Sequence, residues 1–394
     1  AVDGGSPPCF MNINRRGADD ETVARHPCRM HESGPIKGRG SRQRLPGRFE
    51  TATSEAVDDG WHADESEEFA GPALRTHVHE ERARSILSRN DSPDVGFSVS
   101  LNPYRGCEHG CSYCFARPSH AYLNLSPGLD FETEIFAKTN AAERLIEELA
   151  RPGYVPQPIA LGINTDAYQP LERRLQLTRQ CLQVLRDTRH PVSLITKNAL
   201  VERDIDLLAP LAAENLVSVH FSVTSLDPHL SAKLEPRASA PHARLRAMKR
   251  LHDAGIPVGV MLAPVIPWIN DSELEAVLEA AHDAGASTAG YVLLRLPLEV
   301  APLFRDWLDT HHPDRAAHVM STIQQLRGGK DYDSQFGTRM RGQGVYADLL
   351  NNRFKLARKR LGFNAQNSHW PKLDCSRFQK PLPPKKDSPQ GSLF

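Results

Sequence analysis

The sequence predicts an α/β fold, a (β/α)6 partial TIM-like barrel with a helical, basic C-terminal extension and a disordered N-terminus. Short apolar runs alternate with helical stretches between residues 96 and 297, three of these helices stop at a glycine, and 394 residues suffice for a full barrel core. Strands that alternate with helices form βαβ units and a parallel sheet, and right-handed crossovers allow six strands to curl into a partial barrel.

The six predicted strands are apolar runs that each end in polar residues. They are GFSVSLNPY (96–104), PIALGIN (158–164), PVSLITKN (191–198), LVSVHFSVTS (216–225), IPVGVMLAPVIP (256–267) and STAGYVLLRLP (287–297). Active sites of parallel barrels lie at the carboxyl ends of the strands. The polar residues that follow each strand are therefore the site candidates.

The stretches between the strands have the apolar spacing and the stop signals of helices. They are AAERLIEELARPG (141–153), LERRLQLTRQCLQVLRDT (171–188), LVERDIDLLAPLAAEN (200–215), PHARLRAMKRLHDAG (241–255) and DSELEAVLEAAHDAG (271–285).

Four further segments flank the barrel at 96–297. Residues 1–45 are poor in apolar residues and are predicted to be disordered. Residues 46–95 form a loop and partly helical lead-in, 298–364 a helical C-terminal extension, and 365–394 a loose Pro/Lys-rich tail. From residue 351 onward ten Lys and Arg stand against two Asp, which is the clearest basic patch in the chain.

Composition narrows the class of protein. The formal net charge is zero, so global electrostatics say nothing about nucleic acid. Seven cysteines in so long a chain do not make a disulfide framework, and a reducing cytoplasm is expected. No apolar run reaches the roughly 18–20 residues of a membrane span, so no membrane partner is expected.

The densest chemistry lies in NPYRGCEHGCSYCFARP, residues 102–118, directly after the first strand. Cys107, Cys111 and Cys114 are spaced C-x3-C-x2-C. Soft thiolates this close together suit a metal or an iron–sulfur cluster. A [4Fe–4S] cluster has four irons, so three cysteines leave one iron open, as catalytic metals require.

A structural zinc site is the alternative interpretation of these cysteines. Zinc sites usually take cysteines in C-x2-C pairs, and no second pair follows here. The candidates for a fourth zinc ligand are His109, His120 and Cys375.

The spacing, with Tyr113 just before the third cysteine, resembles the signature of the radical S-adenosylmethionine (SAM) superfamily. The wider NPYRGC…CSYCFAR is similar to the branch that contains spore photoproduct lyase, a DNA repair enzyme, and more so to its DNA repair photolyase-like subgroup. The resemblance covers about residues 35–380. It implies the partial barrel, a [4Fe–4S] cluster on the three cysteines, SAM as second cofactor, and Tyr113 near the adenine.

The resemblance also implies SAM contacts at the end of the second strand. There Thr165 and Asp166, with Glu172 nearby, could accept hydrogen bonds from the amino group of SAM, which only donates. The alternative is that Asp166 or Thr165 caps the helix that follows.

Two further strand ends match residues that contact SAM in spore photoproduct lyase. Lys197 ends the third strand, and its charge suits the SAM carboxylate. Ser222 ends the fourth strand, with Thr224 on the same face two residues on. Ordinary polar positions at strand ends are the alternative for Ser222 and Thr224.

Several arginines are candidates for binding a phosphate or carboxylate, or for structural ion pairs. Arg295 ends the sixth strand and Arg237 follows the fourth. A basic run near the N-terminus is either a solvated tail or a phosphate-contacting arm; its members are Lys37, Arg39, Arg42, Arg44 and Arg48.

The chemistry implied by the resemblance is reductive cleavage of SAM to a 5′-deoxyadenosyl radical, which takes a hydrogen atom from the substrate. A flavodoxin- or ferredoxin-type partner would donate the electron. Spore photoproduct lyase uses an extra cysteine downstream of its cluster loop as hydrogen-atom donor, but residues 115–136 contain none. Cys375 is the remaining candidate donor.

Three functional hypotheses follow. The first is a radical SAM enzyme that acts on nucleic acid, which the basic C-terminal segment favours. The second is a radical SAM enzyme that acts on a small molecule or a peptide. The third is a non-enzymatic iron–sulfur or zinc module that binds nucleic acid.

Overall fold

The structure, a computed structural model, describes residues 36–49, 74–363 and 372–382. Ten strands lie within these residues. They are β1 (His77–Glu81), β2 (Leu87–Arg89), β3 (Val99–Leu101), β4 (Tyr104–Arg105), β5 (Glu134–Lys138), β6 (Ile159–Leu161), β7 (Val192–Thr196), β8 (Val217–Ser222), β9 (Val258–Val265) and β10 (Thr288–Leu293).

Seven strands form the central sheet, in the order β10-β9-β8-β7-β6-β3-β2. Neighbours from β3 to β10 run parallel, and β2 pairs antiparallel with β3 at one edge. The six predicted strands and the α/β partial-barrel class are confirmed. Each strand is shorter than the apolar run that predicted it, because the last residues of each run leave the sheet and form the rim.

A second sheet, of order β1-β5-β4, was not predicted. β1 pairs in parallel with β5, and His77 lies opposite Glu134 in the register. The expectation that 46–95 is loop and partly helical is therefore wrong for residues 77–81 and 87–89, which are strands. β1 is charged and its partner is distant in sequence, so no local apolar alternation marks it.

Helices cover the outer face of the central sheet and continue beyond it. They are α1 (Asp130–Thr133), α2 (Ala141–Leu149), α3 (Glu172–Leu175), α4 (Leu177–Asp187), α5 (Ile205–Ala213), α6 (Pro228–Leu234), α7 (Pro241–Asp253), α8 (Leu274–Asp283), α9 (Val300–His311), α10 (Pro313–Gln325) and α11 (Val345–Leu361). The predicted helix over 171–188 is interrupted at Gln176, whose φ of 53° is left-handed. No described helix is long and apolar enough to cross a membrane.

The two faces of the central strands carry different side chains. Val219 and Phe221 of β8 face the helices and are fully buried with them in the main core. Alternation sends Ser218 and Ser222 to the opposite face, towards the barrel interior. Small and polar side chains on that inner face leave room for a cavity, where a closed barrel would be filled by branched ones.

The described part of the tail, 372–382, packs at the amino ends of the strands. The amide of Asp374 donates to the carbonyl of Asn215 (3.0 Å), just before β8, and the Phe378 ring lies 5.2 Å from the His190 ring. This part of the tail, expected to be loose, therefore covers the end of the barrel opposite to the cysteine loop. The basic patch is also partly neutralised by barrel carboxylates, as in the Arg353–Glu275 ion pair.

Candidate functional site

A cavity of about 530 Å³ lies at the carboxyl ends of the strands. Its wall joins the loop after β3 to the ends of β6, β7 and β8. The predicted site residues that line it are Cys107, Cys111, Tyr113, Cys114, Thr165, Asp166, Lys197 and Ser222. The candidates Thr224, Glu172 and Arg237 do not line it.

The cysteine loop is fixed from both sides by backbone hydrogen bonds. The Cys107 amide donates to the Phe131 carbonyl (2.9 Å), and the Ser112 amide donates to the Leu234 carbonyl (3.1 Å). Gly110 has a left-handed φ of 66°, and a Cβ there would lie 2.7 Å from the Glu132 carboxylate. Glycine is therefore required where the loop turns against its support.

A fully buried ion pair lies directly under this loop. Arg117 and Glu132 are 0% exposed, and Arg117 also donates to the Cys111 carbonyl (3.0 Å). The Glu132 carboxylate accepts from the amides of Gly40 and Ser41, both at 3.0 Å. The pair thus joins the cysteine loop to residues 36–49, part of which was predicted to be disordered.

The thiols have the surroundings of ligands to a cationic group. Burial, followed by the nearby charge of Asp166, raises the pKa of Cys107 well above its ordinary value, and burial also raises that of Cys111. A thiolate in such a place needs a compensating cation. Among the described residues, no three His, Cys, Asp or Glu side chains are close enough to hold a single metal ion. The three thiols line one end of the cavity, and soft thiolate donors of this kind suit an iron–sulfur cluster.

Tyr113 is held by a buried network that sequence reasoning missed. Its hydroxyl donates to Glu235 and lies 3.3 Å from the Thr224 hydroxyl, which itself donates to Glu235 (2.6 Å). Arg244 forms a buried ion pair with Glu235 and donates to the Ser222 carbonyl (2.8 Å). The Thr224 hydroxyl is thus already hydrogen-bonded within this network. No local sequence signal marks Glu235 or Arg244 as part of it.

The charge of Glu235 is stabilised despite its burial. Burial alone would raise its pKa, but the charges of Arg244 and Lys197 and the hydroxyl hydrogen bonds outweigh this, so the pKa is lowered. The network therefore fixes the Tyr113 ring with a charged carboxylate behind it.

Lys197 and Ser222 meet on the cavity wall. The Lys197 ammonium donates to the Ser222 hydroxyl (3.0 Å), which donates to the Ala263 carbonyl (3.2 Å). The same ammonium lies 5.9 Å from the centre of the Tyr113 ring. Lys197 forms no ion pair with any carboxylate of the described ranges, so its positive charge remains available to an anionic group in the cavity.

Asp166 is occupied by local hydrogen bonds. It accepts from the Thr196 hydroxyl (2.7 Å), the Lys197 amide (2.7 Å) and the Tyr168 amide (2.9 Å), and lies 3.4 Å from His109. Burial opposes its ionisation, but His109 and these donors outweigh burial and lower its pKa to about 2. The bond to the Tyr168 amide closes a local turn. It is not the helix cap of the alternative interpretation, because α3 begins at Glu172 with Leu171 at its N-cap position.

Thr165 and Glu172 also have partners already. The Thr165 hydroxyl donates to the Tyr104 carbonyl (3.1 Å). Glu172 is fully buried behind the wall, where Tyr104 and Arg203 bind it.

The other basic candidates differ in whether they form ion pairs. Arg237 forms an ion pair with Glu108 (2.8 Å), so it supports the cysteine loop. In the basic run, Arg42 pairs with Asp306 and Arg48 with Glu299 (2.7 Å), so this run is neither a solvated tail nor a free arm. Arg295 forms no such pair with the described carboxylates and lines the cavity.

Cys375 lies in the tail segment at the opposite end of the barrel. The hypothesis that it folds over the mouth as hydrogen-atom donor is wrong for this structure, because its backbone neighbours are bonded at the amino ends of the strands. Cys181 is fully buried in the main core between α4 and the sheet.

Known proteins are similar to this chain over most of the barrel. The profile of the Radical SAM superfamily matches residues 101–281, from β3 into α8. An uncharacterised protein of Mycobacterium tuberculosis is 38% identical over 239 residues, which are 60% of this chain and 70% of that protein. The chain belongs to the radical SAM superfamily.

More distant relatives extend the comparison. An uncharacterised protein of Methanocaldococcus jannaschii is 26% identical over 225 residues, 57% of this chain and 80% of that protein. A solved structure of a spore photoproduct lyase variant is similar with a TM-score of 0.50 at 14% identity, covering 72% of this chain and 79% of that one. At this identity the likeness shows the shared fold.

Membership decides the general class of function. The protein is an enzyme that uses radical SAM chemistry, with the iron–sulfur cluster, SAM and reductant of that superfamily. The hypothesis of a non-enzymatic metal module is therefore wrong.

Proposed function

We propose that Cys107, Cys111 and Cys114 bind a [4Fe–4S] cluster and that the adjoining cavity binds SAM for hydrogen-atom abstraction from a substrate. The observation that carries this proposal is that all three thiols and the Lys197–Ser222 pair line one cavity. When bound, the cluster and SAM supply a 5′-deoxyadenosyl radical at the cost of one electron from a flavodoxin- or ferredoxin-type donor.

The chain's own residues orient and enclose SAM. Lys197 offers its ammonium to the SAM carboxylate, with Ser222 setting its direction at 3.0 Å. Tyr113, fixed by Glu235, presents a rigid ring to the adenine. Asp166 and Thr165 shape the wall where the SAM amino group binds, Asp166 through its negative charge.

The three cysteines and Cys375 provide a matched test of the cluster site. Cys107→Ala, Cys111→Ala and Cys114→Ala should each lose the brown colour, the bound iron and the production of 5′-deoxyadenosine after anaerobic reconstitution. Cys375→Ala removes a half-buried thiol at the other end of the barrel and should keep all three. Full iron content and SAM cleavage in any of the three site variants would refute the proposal.

We propose a nucleic-acid substrate on the basis of the mouth of the cavity. Phe115 lines the cavity and is 42% exposed, with the Arg295 guanidinium 5.3 Å from its ring centre. Phe336 does not line the cavity but is 57% exposed, and its ring centre lies 4.5 Å from the cavity-lining Arg339. Proteins that bind single-stranded nucleic acids use exposed aromatic rings and neighbouring guanidinium groups as surfaces on which the bases stack. The basic tail gives less support than the sequence suggested, because part of its charge is paired.

Single-stranded DNA binding tests this substrate class. Binding should weaken steeply with salt, and Phe115→Ala should weaken it by about 1–3 kcal/mol, the usual range for one stacked base. Tyr122→Ala is the control, since Tyr122 is exposed but does not line the cavity. Equal effects of the two substitutions, or binding that salt does not change, would favour a small-molecule or peptide substrate.

A further inference from the structure

Arg295 is a cavity-lining cation without an acidic partner among the described residues. One Nη lies 3.6 Å from the Met340 sulfur and the other donates to the Tyr332 hydroxyl at 3.3 Å. Its Nε is buried and has no hydrogen-bond acceptor in the described part of the chain. A half-buried guanidinium with no acidic partner is unfavourable unless a ligand compensates its charge, and the two Nη groups are the donors that face such a ligand.

A second arginine adds to this positive charge. Arg327 is buried behind Arg295 and donates to the carbonyls of Thr338 and Leu294, both at 2.9 Å. Burial and then the charge of Arg295 lower the pKa of Arg327, while the charge of Asp333 acts in the opposite direction. Two guanidinium groups thus lie close together with carbonyls and a phenol as their hydrogen-bonding partners.

Arg339, another arginine that lines the cavity, shows the contrast. Arg339 forms an ion pair with Asp94 (2.5 Å), which joins the loop before β3 to the loop after α10. The ion pair therefore neutralises the charge of Arg339 and connects these two loops of the cavity wall. Arg295 lines the same cavity with its charge uncompensated.

We propose that Arg295 binds an oxyanion of the substrate, in a subsite completed by Phe115 and Tyr332. This rests on the proposed function and deepens it by naming a group that the substrate must carry. The guanidinium carbon of Arg295 lies 5.3 Å from the centre of the Phe115 ring and 5.9 Å from the centre of the Tyr332 ring, so two aromatic side chains restrict its position. A planar fork matches a phosphate or a carboxylate through paired N–H donors. In a nucleic-acid substrate this group is a backbone phosphate.

The test uses two probes that differ at one substituent on phosphorus, an ionised oxygen in one and an uncharged methyl group in the other. A dinucleoside phosphate of cytosine and its neutral methylphosphonate analogue are titrated calorimetrically into the anaerobically reconstituted protein at constant ionic strength. The wild type should bind the charged probe about tenfold to a hundredfold tighter, as one charge-assisted interaction provides. Arg295→Gln should abolish this preference and Arg295→Lys, which keeps the charge without the fork, should retain part of it.

The controls separate this proposal from its alternatives. Arg250→Gln removes an exposed arginine of α7 and should leave the preference intact. The affinity of Arg295→Gln for SAM is measured on the same preparations. A parallel loss of SAM affinity would make Arg295 a cofactor residue and overturn the proposal, as would an unchanged preference in Arg295→Gln.

A third probe, N-acetylglycine, distinguishes the source of the oxyanion. If N-acetylglycine is the one probe whose binding depends on Arg295, the subsite binds a carboxylate of the substrate, and the proposal of a nucleic-acid substrate is refuted. If neither anion shows Arg295-dependent binding, the subsite is wrong, whereas a wild type that fails to cleave SAM would instead refute the proposed function.

Discussion

Glu132→Gln tests whether the buried ion pair under the cysteine loop holds the site together. The substitution keeps the shape of the side chain and removes the charge opposite Arg117, with both residues 0% exposed. Removing one partner of a buried pair leaves an uncompensated charge and costs about 3–5 kcal/mol. The amide also places an N–H2 group near the Gly40 and Ser41 amides, which need acceptors. We expect a loss of about 3–5 kcal/mol in the free energy of unfolding, roughly a 100-fold to several-thousand-fold change in the unfolding constant.

The assay is urea unfolding of the protein before reconstitution, followed by measurement of iron content. Glu143→Gln is the control, because Glu143 forms half-exposed surface pairs worth under about 1 kcal/mol. The double variant Arg117→Met with Glu132→Leu should lose less free energy of unfolding than the sum of the losses in the two single variants, because neither charge is left unpaired. A loss below about 1 kcal/mol in Glu132→Gln, or strictly additive effects in the double variant, would refute the reasoning.

Three further outcomes are expected. Lys197→Met should raise the Kd for SAM by about tenfold or more, and Ser222→Ala should raise it by less, because only the first substitution removes a charged donor. Equal Kd values for the two variants in equilibrium dialysis would contradict this. Burial lowers the pKa of His190 from 6.5 to about 4, so as the pH falls the unfolded chain is protonated before the folded one. The free energy of unfolding should therefore decrease by about 2 kcal/mol between pH values above 6.5 and pH 5. The urea midpoint of His190→Gln should lack this dependence on pH. Cys375→Ala should leave the product distribution of a working assay unchanged, because the thiol lies beyond the far end of the barrel; an altered distribution would restore it as a donor candidate.

The parallel barrel was predictable because its signals are local. Each central strand is a buried apolar run bounded by a helix stop or a polar end, so period and length identify it without its neighbours. The cysteine loop was predictable for the same reason, since all three thiols lie within eight residues. Strand order then follows from the chirality of βαβ crossovers.

The second sheet and the supports of the site were not predictable in this way. β1 pairs with β5 across more than fifty residues, and its charged side chains lack apolar alternation. Glu132, Glu235 and Arg244 look like ordinary surface residues in sequence, yet all are buried. Whether such a charge is exposed or paired depends on contacts between segments distant in the chain, which carry no local pattern.

By itself the sequence determined the fold class, and it predicted the three cysteines and the strand ends that meet around the cavity. These depend on apolar periodicity and on spacings of a few residues. Only the tertiary structure decided which charges remain available there. It pairs Arg237 and Arg339 with carboxylates, places Cys375 at the far end, and leaves Lys197 and Arg295 lining the cavity without an ion pair among the described residues. The reason is physical: whether a charge is compensated depends on distances of a few ångströms in three dimensions, which sequence order does not specify.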